Sequence, residues 1–95
     1  MRVNNTREKF ETVADEMTDL FTKKNADYGD SVFETMDEFG MTATAIRLSD
    51  KVKRLKTLTK QEAKVKDESM RDTLLDIANY AVTGLMWLDE KGRNT

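Results

Sequence analysis

The chain of 95 residues contains no proline and only four glycines, so very little in it interrupts a helix. Residues that favour helices, such as Lys, Glu, Leu, Ala and Met, are abundant. Strand patterns are missing, because β-branched and polar residues nowhere alternate over a long stretch. The sequence therefore predicts an all-α protein: a compact bundle of three long helices and one short helix, in a single domain over residues 1–95.

The absence of cysteine and histidine removes several classes of chemistry. The chain cannot form a disulfide, a Cys/His zinc site or a Ser-His-Asp triad. A bound metal would be a hard cation held by Asp and Glu oxygens. The net charge of -2 argues against a general nucleic-acid coat. No apolar run approaches the ~18 residues of a membrane span, so we expect a cytoplasmic protein with no membrane partner.

The first helix is predicted from about Thr6 to Lys24. The segment Lys24–Ser31 follows it and combines Asn, Asp and Gly, which break helices, so a loop is expected there. The apolar residues of the first helix fall at helical spacing and are expected to form one core stripe. They are Phe10, Val13, Ala14, Met17, Leu20 and Phe21.

A short helix is expected from about Ser31 to Phe39, with Gly40 as its C-terminal cap. The third helix is predicted from Thr42 or Thr44 to roughly Leu58, and the polar stretch Thr59–Asp67 is predicted as a loop. Apolar residues four and three positions apart give the third helix a seam for packing against other helices. They are Met41, Ala45, Leu48, Val52 and Leu55.

The last helix is predicted from about Asp67 to Glu90 and is apolar on more than one side. Eleven of the fifteen residues from Leu74 to Leu88 are apolar, including Trp87, a candidate core or interface anchor. A small domain rarely covers such a helix alone. We therefore expect a homo-oligomer, a dimer, tetramer or larger assembly, that forms through the last helix.

Polar residues of the last helix share a stripe about 60° wide at roughly 100° of rotation per residue. They are Asp72, Asp76, Asn79 and Thr83. Two carboxylates one turn apart offer oxygen ligands to Mg²⁺. The alternative is the wet face of an amphipathic helix, although the apolar flanks favour a metal site.

Three cations of the third helix, Arg47, Lys51 and Arg54, lie on one face. Together these side chains can reach one anionic group, and the arginine fork suits phosphate oxygens. Asp50 lies among them and either holds Arg54 in place or points at a metal. The alternative, equally consistent with the spacing, is an internal ion pair of Arg47 or Arg54 with a carboxylate of the last-helix stripe.

The predicted loop Lys24–Ser31 is the third candidate. Tyr28 beside Gly29 is suited to stack on a base, and Asn25 and Asp27 to hydrogen-bond to a base edge or a ribose. A generic capping turn would explain the Asn, Asp and Gly equally well, but it does not need the tyrosine.

These residues form three motifs, whose order resembles the nucleotide modification associated domain 1 family. The motifs are Lys24-Asn25-x-Asp27-Tyr28-Gly29-Asp30-Ser31, Arg47-Leu48-x-Asp50-Lys51-x-x-Arg54-Leu55 and Asp72-Thr73-Leu74-x-Asp76-x-Ala78-Asn79-Tyr80-Ala81. The resemblance runs from about Phe10 to Leu88. That family occurs largely in phages and prophages, and it is in turn similar to the MazG-like all-α nucleoside triphosphate pyrophosphatases, which are oligomeric and Mg²⁺-dependent.

The resemblance implies a nucleotide ligand and aligns Asp76 with the Asp that closes the E-x-x-D motif of those pyrophosphatases. Thr73 stands where that motif has Glu, and the third helix carries Asp50 alone instead of E-x-x-E. The carboxylate set is therefore incomplete, which weakens the hydrolytic function more than it weakens nucleotide binding.

We expect a phage-type nucleotide-binding protein that hydrolyses a nucleotide phosphate linkage with Mg²⁺ held by Asp72 and Asp76. Asp76, Asp72 and Asp50 are the candidate catalytic residues. The candidate ligand-binding residues are Lys24, Asn25, Asp27, Tyr28, Arg47, Lys51, Arg54, Asn79 and Tyr80. The first alternative is a sponge that sequesters a cyclic or linear nucleotide immune signal of the host without catalysis. The second is a structural helical interaction module.

Overall fold

The computed structural model describes residues 5–61 and 63–93, with the side chains of 28, 63–66, 92 and 93 outside the described part. Every element in these ranges is helical, which confirms the predicted all-α bundle. The four helices are α1 (Thr6–Tyr28), α2 (Ser31–Phe39), α3 (Met41–Leu58) and α4 (Ala63–Arg93). None of the described helices is long and apolar enough to cross a membrane.

The predicted loop Lys24–Ser31 is wrong, because α1 continues to Tyr28 and only Gly29 and Asp30 form the turn. Gly29 has φ of +63°, a left-handed conformation that a residue without Cβ adopts at little cost. Its backbone N–H donates to the carbonyl of Asn25 at 2.8 Å and closes the helix. The polar residues that suggested a loop therefore project from the last turn of α1.

The predicted loop Thr59–Asp67 is wrong as well. Residues 59–61 form a turn and α4 begins at Ala63, four residues before the expected start. The last helix also extends past Glu90 to Arg93.

Helices α3 and α4 are antiparallel and make the largest interface in the described part of the chain. Apart from Ala43, the least exposed residues of α3 lie three and four apart, at Met41, Thr44, Leu48, Lys51, Leu55 and Leu58. This seam shares Met41, Leu48 and Leu55 with the predicted one, but the predicted Ala45 and Val52 are exposed. The interface is therefore rotated toward the polar Thr44 and Lys51, which apolar periodicity could not select.

The buried interior is small and partly polar. The buried apolar side chains among the described residues are Met36, Leu58 and Trp87, of which Met36 is fully covered. Three threonines are buried beside them, and each hydroxyl has a partner. Thr73 donates to the carbonyl of Ser69 at 2.7 Å, Thr83 to that of Asn79 at 3.0 Å, and Thr44 to the sulfur of Met36 at 3.1 Å. These bonds offset the cost of burying hydroxyl groups.

Helix α1 joins the bundle only through its C-terminal half. Residues 5–13 are all exposed, and the side chain of Phe10 is 76% exposed, so the prediction that Phe10 and Val13 lie in the core is wrong. The rest of the stripe is half-buried. The Arg71 guanidinium of α4 holds α1 by two hydrogen bonds to Glu16, of 2.6 and 2.7 Å.

Trp87 ties α4 to α2, because its Nε1–H donates to the carboxylate of Asp37 at 2.9 Å and its ring is only 8% exposed. We expect Trp87→Phe to lower the free energy of unfolding by about 2 kcal/mol, since a hydrogen bond to a charged acceptor is lost. Asp37→Asn keeps an acceptor and should cost less. Urea denaturation checks both; a Trp87→Phe loss below about 0.5 kcal/mol, typical of neutral surface changes, would contradict the assignment.

Candidate functional site

A pocket of about 360 Å³ opens where the end of α1, the helix α2, the start of α3 and the middle of α4 meet. This volume lies in the range of small-molecule sites. Its lining includes charged, amide and apolar side chains. The lining residues are Phe21, Lys24, Asn25, Gly29, Ser31, Val32, Thr35, Met36, Ala43, Thr44, Arg47, Asp76, Asn79, Tyr80 and Thr83.

Six of the sequence-predicted site residues line this pocket, and they come from all three motifs. They are Lys24, Asn25, Arg47, Asp76, Asn79 and Tyr80. The three motifs are far apart in sequence, so their meeting at one pocket is a property of the helix packing. Lys51, a seventh candidate, bonds to Asp76 from α3.

Other candidates lie away from the pocket lining. Asp27, Asp50 and Asp72 are exposed, on α1, α3 and α4 respectively, and do not line it. Arg54 is held elsewhere, because its Nε–H donates to the Thr73 hydroxyl at 3.3 Å. The predicted stacking role of Tyr28 concerns a side chain outside the described residues.

Asp76 is the electrostatic centre of the pocket wall, because two lysines from different helices bind its two oxygens. The Lys24 ammonium lies 3.3 Å from Oδ1 and the Lys51 ammonium 2.9 Å from Oδ2. Burial alone would raise the pKa of Asp76, but the hydrogen bond from Lys51 and the charge of Lys24 outweigh it and lower that pKa below its usual value. The internal partners of Asp76 are thus lysines, so the alternative of an ion pair between Asp76 and Arg47 or Arg54 is wrong.

Arg47 lines the same pocket and has no partner among the described residues. Within the described part of the chain, no hydrogen bond or ion pair holds its guanidinium, and the side chain is exposed. Lys24, Lys51 and Arg47 together bring three positive charges against the single negative charge of Asp76. The pocket therefore carries a net positive charge, and its arginine fork is free to bind an anion.

Sequence reasoning missed the part of the pocket that α2 builds. Val32 and Met36 of α2 and Phe21 of α1 supply apolar wall, and Thr35 adds a hydroxyl whose hydrogen goes to the Ser31 carbonyl. The apolar spacing of α2 is a signal that this helix packs, but nothing in the sequence indicates that it packs beside Arg47.

The described carboxylates in and beside the pocket do not form a set suited to a resident Mg²⁺ ion. The described residues contain no group of three or more Asp, Glu, His or Cys side chains that could hold a metal. Asp72 is exposed, and both oxygens of Asp76 are already engaged by ammonium groups. The expected metal site at Asp72 and Asp76 stays a prediction, which these contacts do not favour.

The fold and the pocket define a small all-α protein with a cationic, partly apolar pocket between its helices. The chain belongs to the family described as nucleotide modification associated domain 1, whose sequence profile matches residues 24–88. The matched range includes nearly all of the pocket lining. No curated protein and no solved structure matches the chain significantly. The similarity to MazG-like pyrophosphatases and the phage origin stay predictions.

The lowered pKa of Asp76 makes a prediction about stability and pH. Its ion pairs stabilise the fold above the ordinary carboxyl pKa of 3.8, and this contribution is lost as the pH falls through the lowered value. Asp76→Asn should therefore reduce stability at neutral pH and flatten its decline below about pH 4. Urea denaturation between neutral pH and pH 3 measures this, with the exposed Asp72→Asn as control. An unchanged pH profile in Asp76→Asn would contradict the role given to this carboxylate.

Proposed function

We propose that the pocket binds a nucleotide, with its phosphate on the cations and its base against the apolar wall. The observation that carries the proposal is Arg47, a guanidinium that lines the pocket and has no partner among the described residues. The family to which the chain belongs is named for nucleotide modification, which agrees with a nucleotide ligand.

The division of the pocket into a charged and an apolar part supports this orientation. Arg47 and Lys24 offer donors to phosphate oxygens, and Lys51 adds charge behind Asp76. The aromatic rings of Phe21 and Tyr80 offer surface for a base. In this proposal the amides of Asn25 and Asn79, which also line the pocket, hydrogen-bond to the base edge or the ribose.

Binding without hydrolysis is the form of this function that the contacts favour. Activation of a water by Mg²⁺ needs carboxylate oxygens free to bind the ion. Asp76, the carboxylate in the pocket lining, is committed to two lysines, while Asp50 and Asp72 lie away from the lining. A sponge that sequesters a nucleotide therefore fits these contacts better than a pyrophosphatase does. A purely structural module would not account for the cations that meet at the pocket.

The proposal also covers where the protein acts. We propose a phage-encoded protein that acts in the host cytoplasm on a linear or cyclic nucleotide. The proposal includes a homo-oligomer, because α4 exposes apolar side chains that one copy leaves uncovered.

The deciding experiment incubates the protein with a panel of linear and cyclic nucleotides, with Mg²⁺ or with EDTA. Ultrafiltration measures the free ligand, and heat denaturation followed by chromatography shows its chemical state. We expect one nucleotide class to be retained in both conditions and released unchanged. A Mg²⁺-dependent monophosphate product would establish hydrolysis instead, and a panel that stays free would contradict the nucleotide site.

Arg47→Ala is the sharpest test of the phosphate contact. Loss of a charge-assisted hydrogen bond of about 1.5–3 kcal/mol should weaken nucleotide binding roughly 10- to 100-fold in calorimetric titration. Lys53→Ala removes an exposed cation of the same helix outside the pocket lining and should leave affinity unchanged. Arg47→Lys keeps the charge without the fork and should lie between them. Equal losses in Arg47→Ala and Lys53→Ala would mean a nonspecific effect of charge.

A further inference from the structure

The face of α4 that points away from the pocket is apolar and largely exposed in the described part of the chain. We define this outer face by five residues spaced four and three apart: Leu74, Ala78, Ala81, Leu85 and Leu88. The three leucines are 51%, 60% and 48% exposed. Such spacing is that of a coiled-coil seam, in which apolar side chains interlock with those of another helix.

The chain as a whole has the surface that an interface requires. Its accessible surface is 7628 Å², whereas a folded monomer of this size exposes about 5,600 Å². Its radius of gyration is 15.5 Å, against about 12 Å for a compact chain of this length. The excess comes from the exposed first half of α1 as well as from the outer face, and it is larger than the about 800 Å² that a standard interface covers on each partner.

We infer that the outer face of α4 binds the outer face of α4 in a second copy, with the two helices antiparallel around a two-fold axis near Ala81. A face that meets itself across a two-fold axis must be self-complementary. The small Ala78 and Ala81 lie at the middle of the face and allow close approach, while Leu74 and Leu88 lie at equal distances on either side. This inference rests on the homo-oligomer of the proposed function and is independent of the ligand.

Charge is compatible with the antiparallel arrangement. At roughly 100° per residue, Arg71 and Asp89 lie on the same edge of the outer face, each about 60° from Leu74. A two-fold axis perpendicular to the helices brings these like edges together, so Asp89 of the second copy lies beside Arg71, whose guanidinium also binds Glu16 of its own chain. A parallel pairing would place the same edge of the two copies on opposite sides of the interface, away from this contact.

The interface leaves the pocket open. Asp76, Asn79 and Thr83 line the pocket from the opposite side of α4, about 140° to 200° from Leu74 at 100° per residue. A second copy on the outer face therefore contacts none of these three residues, and each copy keeps its own pocket. Loss of the interface and loss of the ligand site can thus be measured separately.

The first test is the mass of the protein in solution by light scattering after size exclusion, at micromolar concentration. The wild type is expected as a dimer, and Leu85→Glu as a monomer with at least a 10-fold weaker association, about 1.4 kcal/mol. Ile46→Glu is the matched control, because Ile46 is 57% exposed but lies on α3. A monomeric wild type, or equal dissociation by Ile46→Glu, would overturn the inference.

The second test uses the absence of cysteine in the chain, which makes single-cysteine variants unambiguous. Under mild oxidation Ala81→Cys should cross-link to itself, and Leu74→Cys should cross-link to Leu88→Cys when the two variants are mixed. Self-linkage of Leu74→Cys would show that the helices are parallel, and failure of Ala81→Cys to cross-link would show that no two-fold axis passes near Ala81. Either result overturns the inference. Both can be obtained even if Leu85→Glu fails to fold.

Nucleotide retention, measured on the same folded samples, separates this inference from the proposed function. Leu85→Glu should bind nucleotide as the wild type does while losing its partner. A wild-type dimer that binds no nucleotide would contradict the proposed ligand but not the proposed interface.

Discussion

The contact of Asp76 with Lys24 and Lys51 is the interaction on which the pocket depends, because it joins three helices at one carboxylate. Lys24 comes from the end of α1 and Lys51 from the middle of α3, so a single side chain of α4 sets the distance between them. The three side chains are only partly exposed. Ion pairs of this kind add little to stability, so their main effect is to fix the relative positions of the three helices. Arg47 lines the same pocket and has no partner among the described residues, so its guanidinium is available to an anion.

The rest of the fold explains why the pocket exists at all. Helix α3 packs against α4 through Thr44 and Lys51 as well as through leucines, so the interface is not closed by apolar side chains at the level of Asp76. Helix α2 closes the far side and is fixed to α4 by the hydrogen bond between Asp37 and Trp87. The result is a concave site whose walls come from four helices, a common place for ligands in helical proteins.

The exposed apolar residues complete this account. Helix α4 carries two adjacent seams, one covered by α3 and one uncovered, and its polar pocket residues lie on the remaining side. One helix of a short chain thus supplies part of the core, a candidate interface and a wall of the pocket. A protein of this size gains stability from a partner chain more readily than from a larger core of its own.

The sequence by itself determined the helical class, the positions of α2 and α3 to within three residues, and most charged residues of the pocket. Those follow from local rules: the absence of proline, the glycines after α1 and α2, and the spacing of apolar residues. Tertiary structure alone decided that Lys24 and Lys51, not arginines, pair with Asp76, that Arg54 bonds to Thr73, and that Phe10 is exposed. These contacts and exposures depend on how each helix is rotated about its axis and where it diverges from its neighbour. Helical periodicity determines neither the rotation nor the divergence, because several polar and apolar faces of one helix satisfy the same spacing.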